Sequence, residues 1–231
     1  MIITCTRRAV YQNEIVNTNG TSLYCKLLNT SFVCDGNKTM KRIPVIPHNI
    51  TRLTIRNGNF SHVTRETFDN VENSSVTILK LKICMIQFIS EDAFIGLGKV
   101  VEFDLSGNDA LVPEVIAESL HSLSFSRIEK LYLKQMNLIN LPTNMFAGLI
   151  STNVSEIYLN NNLIKSLDGE IFKELIHLRK LDLSWTGISD WDYNFTGLSS
   201  LETLLLSGTW FFKIPNVLRW KPELSSESKA T

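Results

Sequence analysis

Six side chains of this sequence are placed to do chemistry: Lys80, Lys82, Lys130, Tyr132, Lys134 and Tyr158 stand at alternate positions of short apolar segments. Ammonium groups and phenols so arranged suit binding by charge, hydrogen bonding and ring contact rather than bond making. The plainer alternative is that exposed strand positions tolerate Lys and Tyr without any ligand. Covalent and metal chemistry lack their signatures. There is no H-E-x-x-H, no Cys-x-x-Cys, no G-x-S-x-G and no phosphate loop. His48, His62, His121 and His177 are scattered without ligand spacing and suit packing or solvated roles, with pH sensing as the alternative. The expectation is a non-enzyme with no catalytic residue, no metal and no cofactor.

The segments that carry these side chains repeat. Taking the central apolar residue of each gives Leu53, Leu79, Phe103, Leu131, Ile157, Leu181 and Leu204, at steps of 26, 24, 28, 26, 24 and 23 residues. Each unit approximates L-x-x-L-x-L-x-x-N-x-L-x-x-L, as in Val76, Leu79, Leu81, Ile86 and Ile89, or Leu178, Leu181, Leu183, Ile188 and Trp191. Self-similarity at this period is the mark of a solenoid. On the return side Phe68, Phe94, Phe146 and Phe172 each lie 15 residues after their central residue and Phe195 lies 14 after its own, which predicts a stacked aromatic column. The Phe103 unit breaks the pattern, with Leu120 as its nearest candidate.

The run IYLNNNLIKSL, Ile157 to Leu167, shows what ends each strand. Asn162 falls where the chain turns inward and buried backbone groups need partners, which an amide with donors and an acceptor can supply by bonding neighbouring coils. Asn160 and Asn161 are expected on the solvent side. Equivalent positions carry Asn108, Cys84, Thr186 and Thr209, whereas Gly58 and Met136 cannot make such bonds, so irregular coils are expected at those two.

Composition limits the setting. The 231 residues are 44% apolar, enough for a large core, and the charges balance to a net of zero, which gives no global case for nucleic acid. No apolar run approaches the roughly 18 residues of a membrane span, and the start before Arg7-Arg8 is too short for a signal-peptide core. Asn-X-Ser/Thr occurs eight times, at Asn19, Asn29, Asn37, Asn49, Asn59, Asn73, Asn153 and Asn194. Twenty Asn among these Ser and Thr frequencies would give roughly three or four by chance. The excess implies an extracellular or cell-surface glycoprotein, with its signal peptide upstream of this sequence.

The N-terminal part carries a resemblance. Cys25 and Cys34, then Ile43-Pro44, then Ile46-Pro47-His48-Asn49-Ile50-Thr51-Arg52-Leu53, resemble the cysteine-bearing cap of extracellular leucine-rich repeat proteins, and Pro-X-Asn-Ile-Thr-X-Leu is similar to Toll-like receptor ectodomains. The resemblance covers roughly residues 25 to 214, and its cap motif is shared with matrix proteoglycans. It implies an α/β solenoid: a leucine-rich repeat right-handed superhelix, a horseshoe arc with a parallel β-sheet on the concave face and short helical or irregular convex segments. The implied divisions are an N-terminal extension over 1–24, a cap over 25–49, about seven repeats over 50–215 and a polar tail over 216–231. A Cys25–Cys34 disulfide would staple the cap, with Cys84 a buried ladder residue. Cys5 is left over, either for a bond to another molecule or within upstream sequence of no structural consequence.

On that fold the residues flanking the strand centres form one continuous surface, since parallel strands stack about 4.8 Å apart. The register gives a basic entrance from Arg52 to Lys82, an acidic strip at Glu102 and Asp104, then Lys130, Lys134, Tyr132 and Tyr158. No sequon falls on this face. Trp185 and Trp210, just outside the strands, suit a lateral contact, a receptor partner or packing on a next coil. What the resemblance implies is an innate immune ligand-recognition ectodomain, binding a protein or microbial ligand on its concave or lateral face, with a receptor dimer partner and signal transduction by domains outside this sequence. The alternative is a secreted matrix or adhesion protein. With no cysteine cap after the seventh unit, the repeats are expected to continue beyond this sequence.

Overall fold

The computed structural model describes residues 13–18, 21–189 and 197–210, the first twelve-residue stretch to 24 in part and by backbone alone. Its strands are β1 (Asn13–Thr18), β2 (Thr21–Leu28), β3 (Ser31–Asp35), β4 (Arg52–Arg56), β5 (His62–Val63), β6 (Ile78–Lys82), β7 (Phe88–Ile89), β8 (Glu102–Asp104), β9 (Lys130–Tyr132), β10 (Glu156–Tyr158), β11 (Lys180–Asp182) and β12 (Thr203–Leu205). Ten of them make one sheet, in the order β1-β2-β3-β4-β6-β8-β9-β10-β11-β12. From β3 onward every pair is parallel, and the central residues lie directly opposite one another: Phe32, Leu53, Leu79, Phe103, Leu131, Ile157, Leu181, Leu204. The architecture is a leucine-rich repeat solenoid.

The sheet is not parallel throughout. β1 pairs antiparallel with β2, and β2 antiparallel with β3, so the segment expected as an extension over 1–24 carries strand, and β2 crosses the boundary set at residue 25. Period-two alternation in Thr21–Leu28 (Leu23, Cys25, Leu27 against Ser22, Tyr24, Lys26) accounts for the strand. Cys25 lies opposite Cys34 across β2 and β3, and the two are joined by a disulfide. Cys5, Asn19, Trp191, Asn194, Phe195 and the tail over 216–231 lie outside the described residues.

Inside the coil the aromatic column is present but divided. Phe68 meets Phe94 edge-on at 5.8 Å, and Phe146 stacks on Phe172 at 5.7 Å. Between them the longest unit returns through the helix Pro113–Leu120, its proline at the first turn where no amide hydrogen is needed, and Leu120 ends it fully buried. That unit carries its ring on the strand instead: Phe103 meets Phe94 at 4.9 Å, nearly perpendicular.

Each of the seven repeat strands β4, β6, β8, β9, β10, β11 and β12 leads into one left-handed residue immediately before the ladder position: Asn57, Ile83, Gly107, Gln135, Asn161, Trp185 and Gly208 all have positive φ. For Ile83 and Trp185 this costs roughly a kcal/mol or more. Each lies against a glycine at the same place in the next coil. A Cβ on Gly208 would stand 2.6 Å from Trp185 Cε3, and one on Gly107 2.7 Å from Ile83 Cγ1. A second left-handed residue follows the ladder position only at Met85 and Asn137. The irregularity thus falls at Cys84 and Met136, not at Gly58 and Met136 as expected. Neither side chain can offer the turn an amide, and the Asn of the following coil does so: Asn108 Oδ1 accepts from the Cys84 amide at 2.8 Å, and Asn162 Oδ1 from the Met136 amide at 2.9 Å.

Cys84 itself is buried, with its Sγ 3.3 Å from the Lys82 carbonyl oxygen, and burial pushes its thiol from near 9.0 up to about 11. It is expected to resist maleimide in the native protein and to react once unfolded. The unfolded thiol ionises first, so native stability falls as pH rises from about 9 toward 11, by roughly 1.4 kcal/mol per pH unit. Native-state labelling at a rate matching the denatured chain would refute this placement.

Candidate ligand-recognition face

Side chains alternate along each strand, so the residues flanking the buried centres share the opposite face. Register sorts them into rows. One row runs Arg52, Ile78, Glu102, Lys130, Glu156, Lys180, Thr203; the next runs Thr54, Lys80, Asp104, Tyr132, Tyr158, Asp182, Leu205. Beyond them come Arg56, opposite Lys82, and then Ser106, Lys134 and Asn160, where ladder bonds continue past the strand ends through Gly107 N–H to Lys134 O and Gln135 N–H to Asn160 O.

Tyr132 and Tyr158 are opposite one another on β9 and β10, and their rings stack with centroids 4.4 Å apart and 6° between planes. Lysines surround the stack. Lys80 Nζ lies 5.6 Å from the Tyr132 centroid, Lys180 Nζ 5.2 Å from that of Tyr158, and Lys134 Nζ 5.2 and 4.6 Å from the two rings. Ring faces attract such cations without neutralising them. Lys130 is held differently, in an ion pair of 2.9 Å with Glu156, whose carboxylate also accepts the Tyr158 hydroxyl.

The face is therefore charged and firmly held. Burial raises the Tyr158 phenol, reinforced by the Glu156 carboxylate it bonds, and burial likewise raises Tyr132, with Glu102 adding to it. Burial lowers Lys134, against the pull of Asp182 and Asp104. Burial also pushes Glu156 up, but the hydrogen bonds from Tyr158 and Lys130 outweigh it and leave the carboxyl below its ordinary value. Lys130 is raised chiefly by its hydrogen bond to Glu156. Both phenols stay neutral and Glu156 stays ionised at physiological pH.

The acidic strip expected between the basic bands is partly withdrawn. Asp104 is only 4% exposed, its Oδ1 accepting the Ser106 amide at 2.9 Å, and Asp182 repeats the arrangement with the Ser184 amide at 3.0 Å. Their carboxylates serve the backbone, while the lysines of the face are half-buried. Of the six residues singled out from the sequence, Lys80, Lys130, Tyr132, Lys134 and Tyr158 come together, and Lys82 lies to one side with its Nζ 3.9 Å from Asp104. Lys180 was missed. Its signal was present, since it occupies the place of Lys130 two coils on.

Five of the six described sequon asparagines, Asn29, Asn37, Asn49, Asn73 and Asn153, are exposed and Asn59 is half-buried; none lies in a strand. Trp185 and Trp210 are 65% and 66% exposed beside the sheet. Among the described residues no group of His, Cys, Asp and Glu is placed to hold a metal ion, and no helix is long and apolar enough to cross a membrane.

Comparison with known proteins agrees with the solenoid fold. The Leucine rich repeat family model matches residues 48–109 and 152–211, more than half of the chain. Toll-like receptor 3 of Boselaphus tragocamelus is 31% identical over 147 residues, which is 63% of this chain and 16% of that protein. Lumican of Mus musculus is 26% identical over 226 residues, 81% of this chain and 66% of lumican, so the chain spans less than two thirds of either relative. In the crystal structure of the mouse RP105/MD-1 complex the similar fold covers 79% of this chain and 30% of that one, with a TM-score of 0.60 at 21% identity. The chain belongs to the leucine-rich repeat family, as a solenoid that resembles part of a Toll-like receptor ectodomain.

Proposed function

We propose that this chain is the non-catalytic ligand-recognition part of an extracellular innate immune receptor, binding a protein or microbial ligand on its sheet face at Lys80, Lys82, Lys130, Tyr132, Lys134 and Tyr158. The observation that carries the reading is the stacked Tyr132–Tyr158 pair, two amphipathic rings held by lysines at the middle of a face free of described sequons. Glycosylation at the sequons, a further receptor chain on the lateral face of Trp185 and Trp210, and signal transduction through other domains belong to the same proposal. The similarity to Toll-like receptor 3 supports it.

A second reading, a secreted matrix or adhesion protein, is favoured by the lumican similarity, which extends over 81% of the chain. Binding of the secreted protein to bacterial and viral particle preparations and to collagen fibrils separates the two. The double substitution Tyr132→Ala/Tyr158→Ala is expected to weaken binding to a microbial preparation by about thirtyfold, the loss of a central aromatic anchor. Binding to collagen alone with the same sensitivity transfers the site to the matrix reading. Ligand binding that ignores the double substitution removes the site altogether.

A further inference from the structure

The lysines of the sheet face divide into two kinds. Lys130 and Lys82 have carboxylate partners, Glu156 at 2.9 Å and Asp104 at 3.9 Å. Lys80, Lys134 and Lys180, the three whose ammonium groups lie against the tyrosine rings, form no ion pair among the described residues. A ring face orients a cation but accepts little from its N–H groups, so these three ammoniums keep donors for something else. Burial is what chiefly disfavours the charge on Lys134; Lys82 and Lys180 add to it, and Asp182 and Asp104 oppose it. An anion beside Lys134 would replace the hydration that burial removes and take its free N–H bonds.

Resting on the reading that this face recognises a ligand, we infer that Lys134, which lies against both rings, with Lys80 at the Tyr132 end of the stack and Lys180 at the Tyr158 end, forms a carboxylate-binding subsite that takes an Asp or Glu side chain of a polypeptide ligand at the Tyr132–Tyr158 stack. A long polyanion is disfavoured by what surrounds the subsite. Glu102, Asp104, Glu156 and Asp182 lie in the same rows within two strands of the tyrosines, so a second or third anionic group of an extended chain would be carried onto carboxylates. One negative charge against this nearly balanced patch satisfies it, and the stacked rings supply the apolar contact that a side chain, rather than a bare ion, can use.

The test uses a displayed random-peptide library selected on the native protein and counter-selected on Tyr132→Ala/Tyr158→Ala, followed by binding of synthetic versions of the selected peptides. The expected peptides share one Asp or Glu whose replacement by Asn or Gln weakens binding at least about tenfold. In Lys80→Gln/Lys134→Gln/Lys180→Gln the acid and amide peptides bind alike, whereas Lys165→Gln, a change at an exposed lysine off the strands, leaves the preference intact. The triple variant keeps the native circular dichroism, and its denaturation midpoint falls only by the loss of the ring contacts, because none of the three lysines holds an ion pair. Selected peptides that bind equally well as amides overturn the carboxylate assignment and leave the recognition face standing. A library yielding nothing that depends on the tyrosines overturns both. Heparin bound more tightly than any peptide, and lost in the triple variant, replaces the subsite with a polyanion site.

Discussion

Asn108→Ala is expected to lower the stability of the solenoid by about 3–5 kcal/mol, among the largest effects of any single polar substitution in the chain. Asn108 is 1% exposed, and its amide is spent on two coils at once. Its Oδ1 accepts the Cys84 amide at 2.8 Å and the Ile86 amide at 3.4 Å, while its Nδ2 donates to the Leu81 carbonyl at 2.9 Å and the Leu105 carbonyl at 2.6 Å. Alanine strands two donors and two acceptors where water has no access, each costing about 1–3 kcal/mol before relaxation. Asn108→Leu fills the space but restores none of the bonds, so it should do no better. Thr186→Ala is the matched comparison. Among the described residues that hydroxyl makes one bond, within its own coil, to the Leu183 carbonyl at 2.7 Å, and its loss should cost about 1 kcal/mol. Urea denaturation of the three variants gives the ranking, and amide exchange at Cys84 and Ile86 should accelerate in Asn108→Ala before global unfolding. Equal losses at Asn108 and Thr186 would show that the bridge between coils carries no special weight.

The ladder also shows how far sequence reasoning reaches. Asn162 and Asn108 were identifiable because a buried turn needs an amide and few side chains have one, and the stacking of Leu53 through Leu204 followed from period alone. What the period could not show is which neighbouring coil each Asn serves, and it is the coil before. Gly58 and Met136 therefore looked equally deficient, yet the Met136 turn is bonded by Asn162. The antiparallel hairpin β1–β2 was missed because the repeat template stops at the cap and gives no reason for strands ahead of it. On the sheet face, register placed Tyr132 beside Tyr158, but which lysines pair with carboxylates and which lie on rings depends on rotamers across neighbouring coils. Lys130 and Lys180 occupy the same position of their repeats and end differently: Lys130 reaches Glu156, and Lys180 turns to the Tyr158 ring.

Phe94 is where two versions of the core meet, and Phe94→Ala is expected to cost about 3–5 kcal/mol. Its ring is fully buried and touches Phe68 of the coil before it and Phe103 of the coil after it, so it joins a repeat with a convex phenyl to the one repeat whose phenyl lies on the strand. The Phe103 unit has the smaller Leu120, fully buried, on its convex side where other units carry a phenyl. Phe94→Leu keeps much of the volume and should lose clearly less. A solenoid holds together through contacts between neighbouring coils, so the alanine change weakens a junction in the middle of the stack as well as one coil. Its signature is a lower denaturation midpoint together with a smaller m-value or a second transition, as the coils on either side begin to unfold separately. Phe125→Ala is the control of identical chemistry: that ring is 93% exposed, and its removal should change stability by no more than about 0.5 kcal/mol. A Phe94→Ala variant that unfolds in one transition at the midpoint of Phe125→Ala would mean that the aromatic column contributes packing volume without coupling the repeats.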